Sequence, residues 1–308
     1  MPRSKAVLVV GDLNADLILT GLAGRPRYGR EVLVRECSLT LGGSGALCAT
    51  GLARLGRPVR FVGLIGRDST GDMLLEMMRR RGVDVSRVRR DGKCGTGIAV
   101  ALSNESDRAF VSFLGTVATA TSRTLALDGF AGFAHLHLTS PFLQAGLRPD
   151  FPLILKKARE AGLTTSFDPG WDPAEEWKLG DLYPWTDILL VNEVEAAAIT
   201  GLRRPAAAAR ALSARVKVAV VKTGPEGAVA ASGDDAWRVS SYPVKPVDTT
   251  GAGDTFDAGF LDATLEGKGV EEALAFGCAC GAISTTRPGG FEGQPSRAEA
   301  LRLMRSRR

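Results

Sequence analysis

Histidine is nearly absent from these 308 residues: only His135 and His137 occur. Neither a histidine-rich metal centre nor several Ser-His-Asp arrangements can be assembled from two imidazoles. Cysteine is scarce too, and odd in number: Cys37, Cys48, Cys94, Cys278 and Cys280. No Cys-x-x-Cys spacing is present, and Cys278-x-Cys280 lies in an Ala/Gly-rich stretch. This excludes a disulfide framework and points to packed free thiols in a reduced compartment, the cytoplasm. Long apolar runs are missing as well. Met1-Pro2-Arg3-Ser4-Lys5 is followed by Ala6–Val10, and Asp12 soon ends the run, which is too short for a secretory leader. The longest uncharged stretch, Gly129–Leu147, is broken by His135, His137, Thr139, Ser140, Pro141 and Gln144, too polar for a bilayer span. Charge shows no strong bias, with 39 basic against 34 acidic residues and a net of +5 to which Arg305, Arg307 and Arg308 contribute. Neither a nucleic-acid nor a membrane partner is expected from that balance.

What remains is a folded protein, 44% hydrophobic and 24% charged, with an excess of one residue. Glycine accounts for 37 of 308 positions, or 12%, against a usual ~7%.

Short apolar runs recur at Ala6–Val10, Val59–Leu64, Phe133–Leu138, Thr164–Phe167, Ile188–Val191 and Val216–Val221. Each is the length of a strand buried on both faces. Helical patterns separate them at Ala46–Leu55, Gly71–Arg81, Phe151–Ala161, Val194–Thr200 and Pro205–Ala214. The alternation predicts a parallel sheet with right-handed crossovers and helices on both faces. A hairpin (Ala228–Ala231, Ala236–Val239) and three helices (Gly251–Leu265, Val270–Thr286, Arg297–Arg305) follow, the last opened by the capping box Ser296-x-x-Glu299. Two β-rich pieces interrupt the alternation: Asp16–Thr20 with Glu31–Leu41, and Gly97–Leu102 with Ala109–Leu114. They read as one small sheet forming a lid over the main sheet's carboxyl edge. His135 and His137, two apart in a strand, share a face and read as packing residues. Arg79-Arg80-Arg81 and Arg305–Arg308 read as solvated helix ends.

The densest glycine signal is Asp248-Thr249-Thr250-Gly251-Ala252-Gly253-Asp254-Thr255-Phe256, running into an apolar helix. Small residues at a helix start let an anion approach unpaired backbone N–H groups. An acid in the same turn suits removal of a proton from a hydroxyl while phosphate charge develops nearby. The same residues also suit a plain glycine-rich helix cap. Gly-x-x-x-x-Gly-Lys-Ser/Thr does not occur, and Gly251-x-Gly253-x-x-Phe256 lacks the third glycine of a dinucleotide fold.

Together the motifs resemble those of the ribokinase-like, or PfkB, family of carbohydrate and nucleoside kinases. Its C-terminal signature stands unbroken at Asp248–Phe256, and its N-terminal glycine signature at Gly42-Gly43-Ser44-Gly45-Ala46. Gly66-x-Asp68-x-x-Gly71, Asn192-x-x-Glu195 and Lys222-Thr223-Gly224-x-x-Gly227 follow in the family's order. The resemblance covers about residues 6–305. It implies a three-layer α/β/α ribokinase-like fold with a mostly parallel central sheet and a small β-sheet lid. Residues 1–308 would form one kinase domain, the lid coming from about 14–41 and 95–116.

The resemblance also implies roles. Asp254 aligns with the catalytic base, and Gly251, Ala252 and Gly253 with the anion hole. Asn192 and Glu195 would hold the water shell of Mg²⁺. Asn192, Lys222, Thr223, Gly224 and Gly227 would line the ATP site, with Gly289 and Gly290 near the adenine. Asp248 and Thr250 occupy positions that bind a monovalent cation such as K⁺ in some members. Asn14, Asp16, Gly42, Gly43 and Ser44 would meet the acceptor at the end of the first strand, where ligands of open parallel sheets bind. Leu47 and Thr139 belong to the same acceptor site and depart from the family pattern, which has Asn at the first position and, in ribokinases, an acid at the second. Ribose held in the ribokinase manner is not expected with those two groups lost. A deoxy or keto sugar, a sugar acid or a nucleoside stays open. Asp168-Pro169-Gly170 partly matches a fructokinase and ketodeoxygluconate kinase motif, with Gly170 in place of Asn.

The expected activity is ATP- and Mg²⁺-dependent phosphorylation of a hydroxymethyl group on a sugar or sugar-like alcohol. The alternatives are an adenosine- or cytidine-like nucleoside kinase of the same fold, and a non-catalytic sugar- or nucleotide-binding protein. Exposed lid strands lead to the expectation of a homodimer through the lid.

Overall fold

The computed structural model describes residues 6–103, 108–127 and 129–306. Met1–Lys5 and Arg307–Arg308 of the basic tail lie outside the described residues. The chain opens with β1 (Val7–Val10), β2 (Asn14–Thr20), β3 (Glu36–Gly42), α1 (Ser44–Arg54), β4 (Val59–Val62), β5 (Leu64–Gly66) and α2 (Ser69–Arg80). It continues through β6 (Arg89–Asp91), β7 (Gly97–Ser103), β8 (Arg108–Phe113), α3 (Thr116–Thr119), α4 (Ser122–Leu125), β9 (His135–Thr139), α5 (Phe151–Glu160) and β10 (Thr164–Asp168). After β11 (Ile188–Asn192), α6 (Glu193–Thr200), α7 (Pro205–Ser213) and β12 (Val218–Lys222) comes the hairpin β13 (Ala228–Ser232) and β14 (Asp235–Val239). Helices α8 (Ala252–Leu265), α9 (Val270–Ser284) and α10 (Arg297–Arg305) close it.

The central sheet has eight strands in the order β14-β13-β12-β11-β10-β9-β1-β4. From β4 to β12 every neighbour is parallel, and β13 and β14 add antiparallel edges. Strand β1 shows why both faces are covered. Val7 and Val9 pack with α1, α8 and α9 in one core, while Leu8 and Val10 pack with α5 and α7 in another. The three layers follow directly from that alternation. Strands β3-β2-β7-β8 form a separate small sheet from the two inserted β-rich pieces. Ser296 and Glu299 form the expected reciprocal box on α10, and Asp68, not read as a cap from the sequence, accepts from Gly71 N–H at the start of α2.

Several boundaries differ from the sequence expectation. Strand β3 begins at Glu36 rather than Glu31, because its partner β2 ends at Thr20, opposite Glu36. The run Val59–Leu64 breaks at Gly63, and β5 leaves the main sheet to pair with β6, which the sequence did not signal. Arg81 is not a solvated helix end: its guanidinium lies 4.3 Å from the Phe291 ring centre and donates to the Phe291 carbonyl. Cys48, Cys278 and Cys280 are buried thiols, whereas Cys37 is exposed. Among the described residues, no helix is long and apolar enough to cross a membrane.

Candidate active site

Parallel pairing carries the ends of β1, β9, β10, β11 and β12 to one edge of the sheet. Helix α8 starts there. Its N-cap, Gly251, has φ +69, and a Cβ on it would lie 2.7 Å from Gly290 Cα. Only glycine allows both the left-handed turn and that approach. Asp248 fixes the loop before it, accepting Thr250 N–H and Thr250 Oγ1–H on one oxygen and Gly289 N–H on the other. Ala252, Gly253 and Asp254 then line a cleft of about 900 Å³.

Asp254 sits among charges from three strand ends. Burial and the neighbouring Asp168 and Asp12 carboxylates push its pKa up to about 7, against Lys222 and a hydrogen bond from Ser44. Lys222 Nζ donates to Asp168 Oδ2 at 2.6 Å and to both oxygens of Asp257 at 3.0 and 3.1 Å. Against the cost of burial, Lys222 and the hydrogen bond from Asp257 hold the Asp168 carboxyl below its ordinary value. Burial drives Asp257 the other way, well above it. The Lys222 ammonium, though buried, is held well above its ordinary range by Asp168 and Asp257. Lys222 lines the cleft, with its ammonium engaged by two carboxylates.

On the other side of α8, Asn14 Nδ2 donates to Asp16 Oδ1 at 2.8 Å. Burial pushes Asp16 up to about 7, with Asp12 and Asp248 adding to the shift and the Asn14 hydrogen bond opposing it. Gly42 and Gly43 press on this pair, since a Cβ on Gly42 would fall 2.0 Å from Asp16 Oδ1 and one on Gly43 3.1 Å from Asn14 Oδ1. Asp12, given no role in the sequence reading, caps α1: Ser44 N–H and Gly45 N–H each donate to it at 3.0 Å. Thr139 stands behind this cap. Its hydroxyl donates to Asp12 Oδ1 at 2.9 Å and the residue is 1% exposed, so it braces the α1 cap and is not among the residues lining the cleft. Leu47 is buried, and its Cδ1 packs over Gly251 and Gly290.

Asn192 caps α6 in a reciprocal box with Glu195: its side-chain Oδ1 accepts Glu195 N–H, and its backbone N–H and Nδ2 donate to the two Glu195 oxygens. Both line the cleft. Burial, then Asp168, pushes Glu195 up to about 7. Thr223 N–H closes a turn onto the Gly227 carbonyl, and Gly224 and Gly227 both have positive φ. A Cβ on Gly227 would fall 2.0 Å from the Val239 carbonyl oxygen. Pro225, Tyr242, Pro243 and Val244 continue the cleft as an apolar wall. Gly289 and Gly290 are not there. They pack against Asp248, Thr40 and Gly251, where two glycine backbones cross closely.

Two cleft residues, Asp168 and Trp171, and the buried Asp257 behind them escaped the sequence reading as site members. Asp257 follows Asp254 by three positions, a same-face spacing inside an otherwise apolar helix that was the available signal. Asp168 was noticed only within a motif, and Trp171, half exposed in the cleft, stands edge-on to Trp177 at 5.7 Å.

The pfkB family carbohydrate kinase profile matches residues 4–297. Among curated proteins, Fructokinase-1 of Oryza sativa subsp. japonica is 31% identical, with 99% of each chain covered. The 2-dehydro-3-deoxygluconokinase of Bacillus subtilis (strain 168) is 30% identical over 91% of each. Among solved structures, the Arabidopsis thaliana ribokinase complexed with ribose and ATP superposes with a TM-score of 0.85 at 26% identity, covering 98% of this chain and 99% of that one. With the family model matching residues 4–297 and relatives alike over the full chain, the chain belongs to the pfkB family of carbohydrate kinases, phosphotransferases of the ribokinase fold.

Proposed function

We propose that this protein is an ATP- and Mg²⁺-dependent kinase that phosphorylates a hydroxymethyl group of a sugar or sugar-like alcohol, with Asp254 as general base. The observation that carries this reading is the position of Asp254: it follows the Gly251–Gly253 turn directly and lines the cleft between a polar end and an apolar wall. The acceptor hydroxyl gives its proton to the Asp254 carboxylate, its oxygen forms the new bond to the γ-phosphorus, and the bond to the ADP oxygen breaks. The amides of Gly251–Gly253 face the charge on the transferred group, so catalysis rests on positioning and fixed dipoles.

The donor set fits Mg²⁺. Asn192 and Glu195 offer oxygen atoms at the cleft, already tied to one another, which suits contact through the ion's waters rather than a dedicated cage. Bound there, Mg²⁺ would neutralise phosphate charge. Lys222, Thr223, Gly224 and Gly227 form the nucleotide end, and Asp248 with Thr250 is the candidate K⁺ site. Asn14 and Asp16 hydrogen-bond acceptor hydroxyls, with Gly42, Gly43 and Ser44 closing the backbone on them.

Sheet β3-β2-β7-β8 is the lid of a single kinase domain and excludes water from the reaction. Leu39, Phe110, Val111 and Phe113 expose apolar surface on it, which supports a homodimer through the lid in the cytoplasm. A monomeric mass at micromolar concentration would contradict that assembly. With Leu47 packed where an amide would reach the ligand, the acceptor has fewer hydroxyls at that face: a deoxy or keto sugar or a sugar acid. The keto-deoxy acid in the name of the Bacillus subtilis relative is of that kind. A nucleoside whose base lies on Leu47 is the second reading. A coupled ADP-release assay over ketodeoxy acids, hexoses, pentoses and nucleosides decides it. Turnover on the first group is expected. Turnover on nucleosides alone supports the second reading, and silence over the whole panel would leave a non-catalytic binder.

A further inference from the structure

Carboxylates crowd the first turns of α8. One oxygen each of Asp168, Asp254 and Asp257 lie within 4.8 Å of one another. Three acids that close repel when ionised, the more strongly because Asp168 and Asp257 are buried. The ammonium of Lys222 enters this group from the end of β12, donating to Asp168 and Asp257. It also stands beneath the glycine turn, 3.4 Å from where a Cβ on Gly253 would lie. Asp257 hydrogen-bonds to Asp168, so the lysine is gripped by a pair of acids that share a proton while its charge reaches the third.

We propose that Lys222 is a positioning residue for phosphoryl transfer, its ammonium clamped by Asp168 and Asp257 beneath Gly253 so that Asp254 is kept as a proton-accepting carboxylate. The inference rests on Asp254 being the general base. A buried lysine held by a strand end is rigid, and a fixed charge at a reacting centre does not have to reorganise during the reaction. The groups that face Asp254 are Asp168 from β10, Lys222 from β12, Asp12 beyond β1 and Ser44 of α1, with Glu195 of α6 in the same field. Of these, Lys222 favours the ionised form of Asp254 by its charge, while Asp168 opposes it.

Opposite shifts therefore test the assignment. Lys222→Met should move Asp254 titration to higher pH by about one unit, and Asp168→Asn should move it lower by a similar amount. The Lys222→Met/Asp168→Asn double variant, which removes an ion pair rather than one charge, should return it close to the wild-type position. Two measurements read this. The acid limb of kcat/KM against pH reports the free enzyme's base. A carbon-13 carboxyl titration of aspartate-labelled protein, with Asp254→Asn assigning the signal, reports the same group without turnover. KM for the acceptor should change little in each variant. Should Lys222→Met not fold, Asp168→Asn alone still has a required sign. If folded variants leave Asp254 titrating where it does in the wild type, or both move it the same way, the role of Lys222 is overturned. If the wild type turns over no acceptor, the general-base reading fails separately, and the carboxyl titration still judges the lysine.

Discussion

Gly251 and Gly290 cross with no room for a side chain on either: a Cβ on Gly290 would lie 2.9 Å from Gly251 Cα, 3.0 Å from Leu47 Cδ1 and 3.0 Å from the Thr250 carbonyl. Two of those neighbours are backbone and cannot yield cheaply. Gly290→Ala should therefore displace the first turn of α8 and cost about 1–3 kcal/mol of stability. Turnover should fall at least tenfold if, as proposed, the displaced amides are those that face the phosphoryl group. Urea unfolding alongside the ADP-release assay checks both. A variant of normal turnover would show that the crossing is not needed to shape the anion site.

Replacing Asp254 by Asn keeps its volume and removes its capacity to take a proton. The expected result is a folded protein that still binds ATP, with turnover lowered by about 10²–10⁴. Since burial and Asp168 raise Asp254 to about 7, kcat/KM of the wild type should climb with pH through that value and flatten above it. Activity that stays level from pH 5 to 8 would argue against Asp254 as the base.

The glycine turn and Asp254 were legible because their meaning is local: small residues, then an acid, at the start of an apolar helix. The partners of Asp254 were not. Lys222 and Asp168 are 54 positions apart and meet only because β10, β11 and β12 pair in parallel. Thr139 shows the matching limit. In a strand buried on both faces, polarity does not reveal whether a hydroxyl turns to a ligand or, as here, to Asp12. Gly289-Gly290 announced a close approach without saying of what. The strands of the small sheet were found, but the start of β3 was not, since a strand extends only as far as its partner.

Ser166 joins the two histidines in a directed chain. Thr164 Oγ1 donates to the Ala134 carbonyl, so it accepts from His135 Nδ1; His135 Nε2 then accepts from Ser166 Oγ, which in turn accepts from His137 Nδ1. Among the described residues, His137 Nε2 has no partner, so a proton on it would be unsatisfied and the neutral ring is favoured. Burial lowers His135 to about 3 and His137 to about 4. An unfolded histidine protonates near ~6.5. Between these values the unfolded chain binds more protons, so this contribution is present above pH 6.5 and is lost as pH falls toward 4. Asp16, Glu195 and Asp254, all raised to about 7, slope the opposite way over the same window and mask it in part. His137→Gln should remove about 3 kcal/mol of the stability difference between pH 7 and pH 4. Urea unfolding of both proteins at the two pH values measures it, and an unchanged difference would mean that His137 is charged in the fold.

Arg57 and Asp262 form the buried ion pair that fastens α8 to the end of α1. Arg57 donates through Nε and Nη2 to Asp262 Oδ1, and Nη2 also reaches the Asp262 carbonyl and Glu266. Arg297 holds the other oxygen of Asp262. Both partners are almost fully buried, and burial still raises Asp262 above its ordinary value despite two guanidinium groups. A pair of this kind contributes little relative to apolar residues, yet breaking it strands a charge. Arg57→Met should thus cost about 3–5 kcal/mol, while Arg57→Met with Asp262→Leu should recover much of the loss. Because Asp262 lies two turns beyond Asp254 on the same helix, the single variant should also loosen the site, lowering turnover more than acceptor KM. Equal losses in the single and double variants would mean that packing volume, not the unpaired carboxylate, sets the cost.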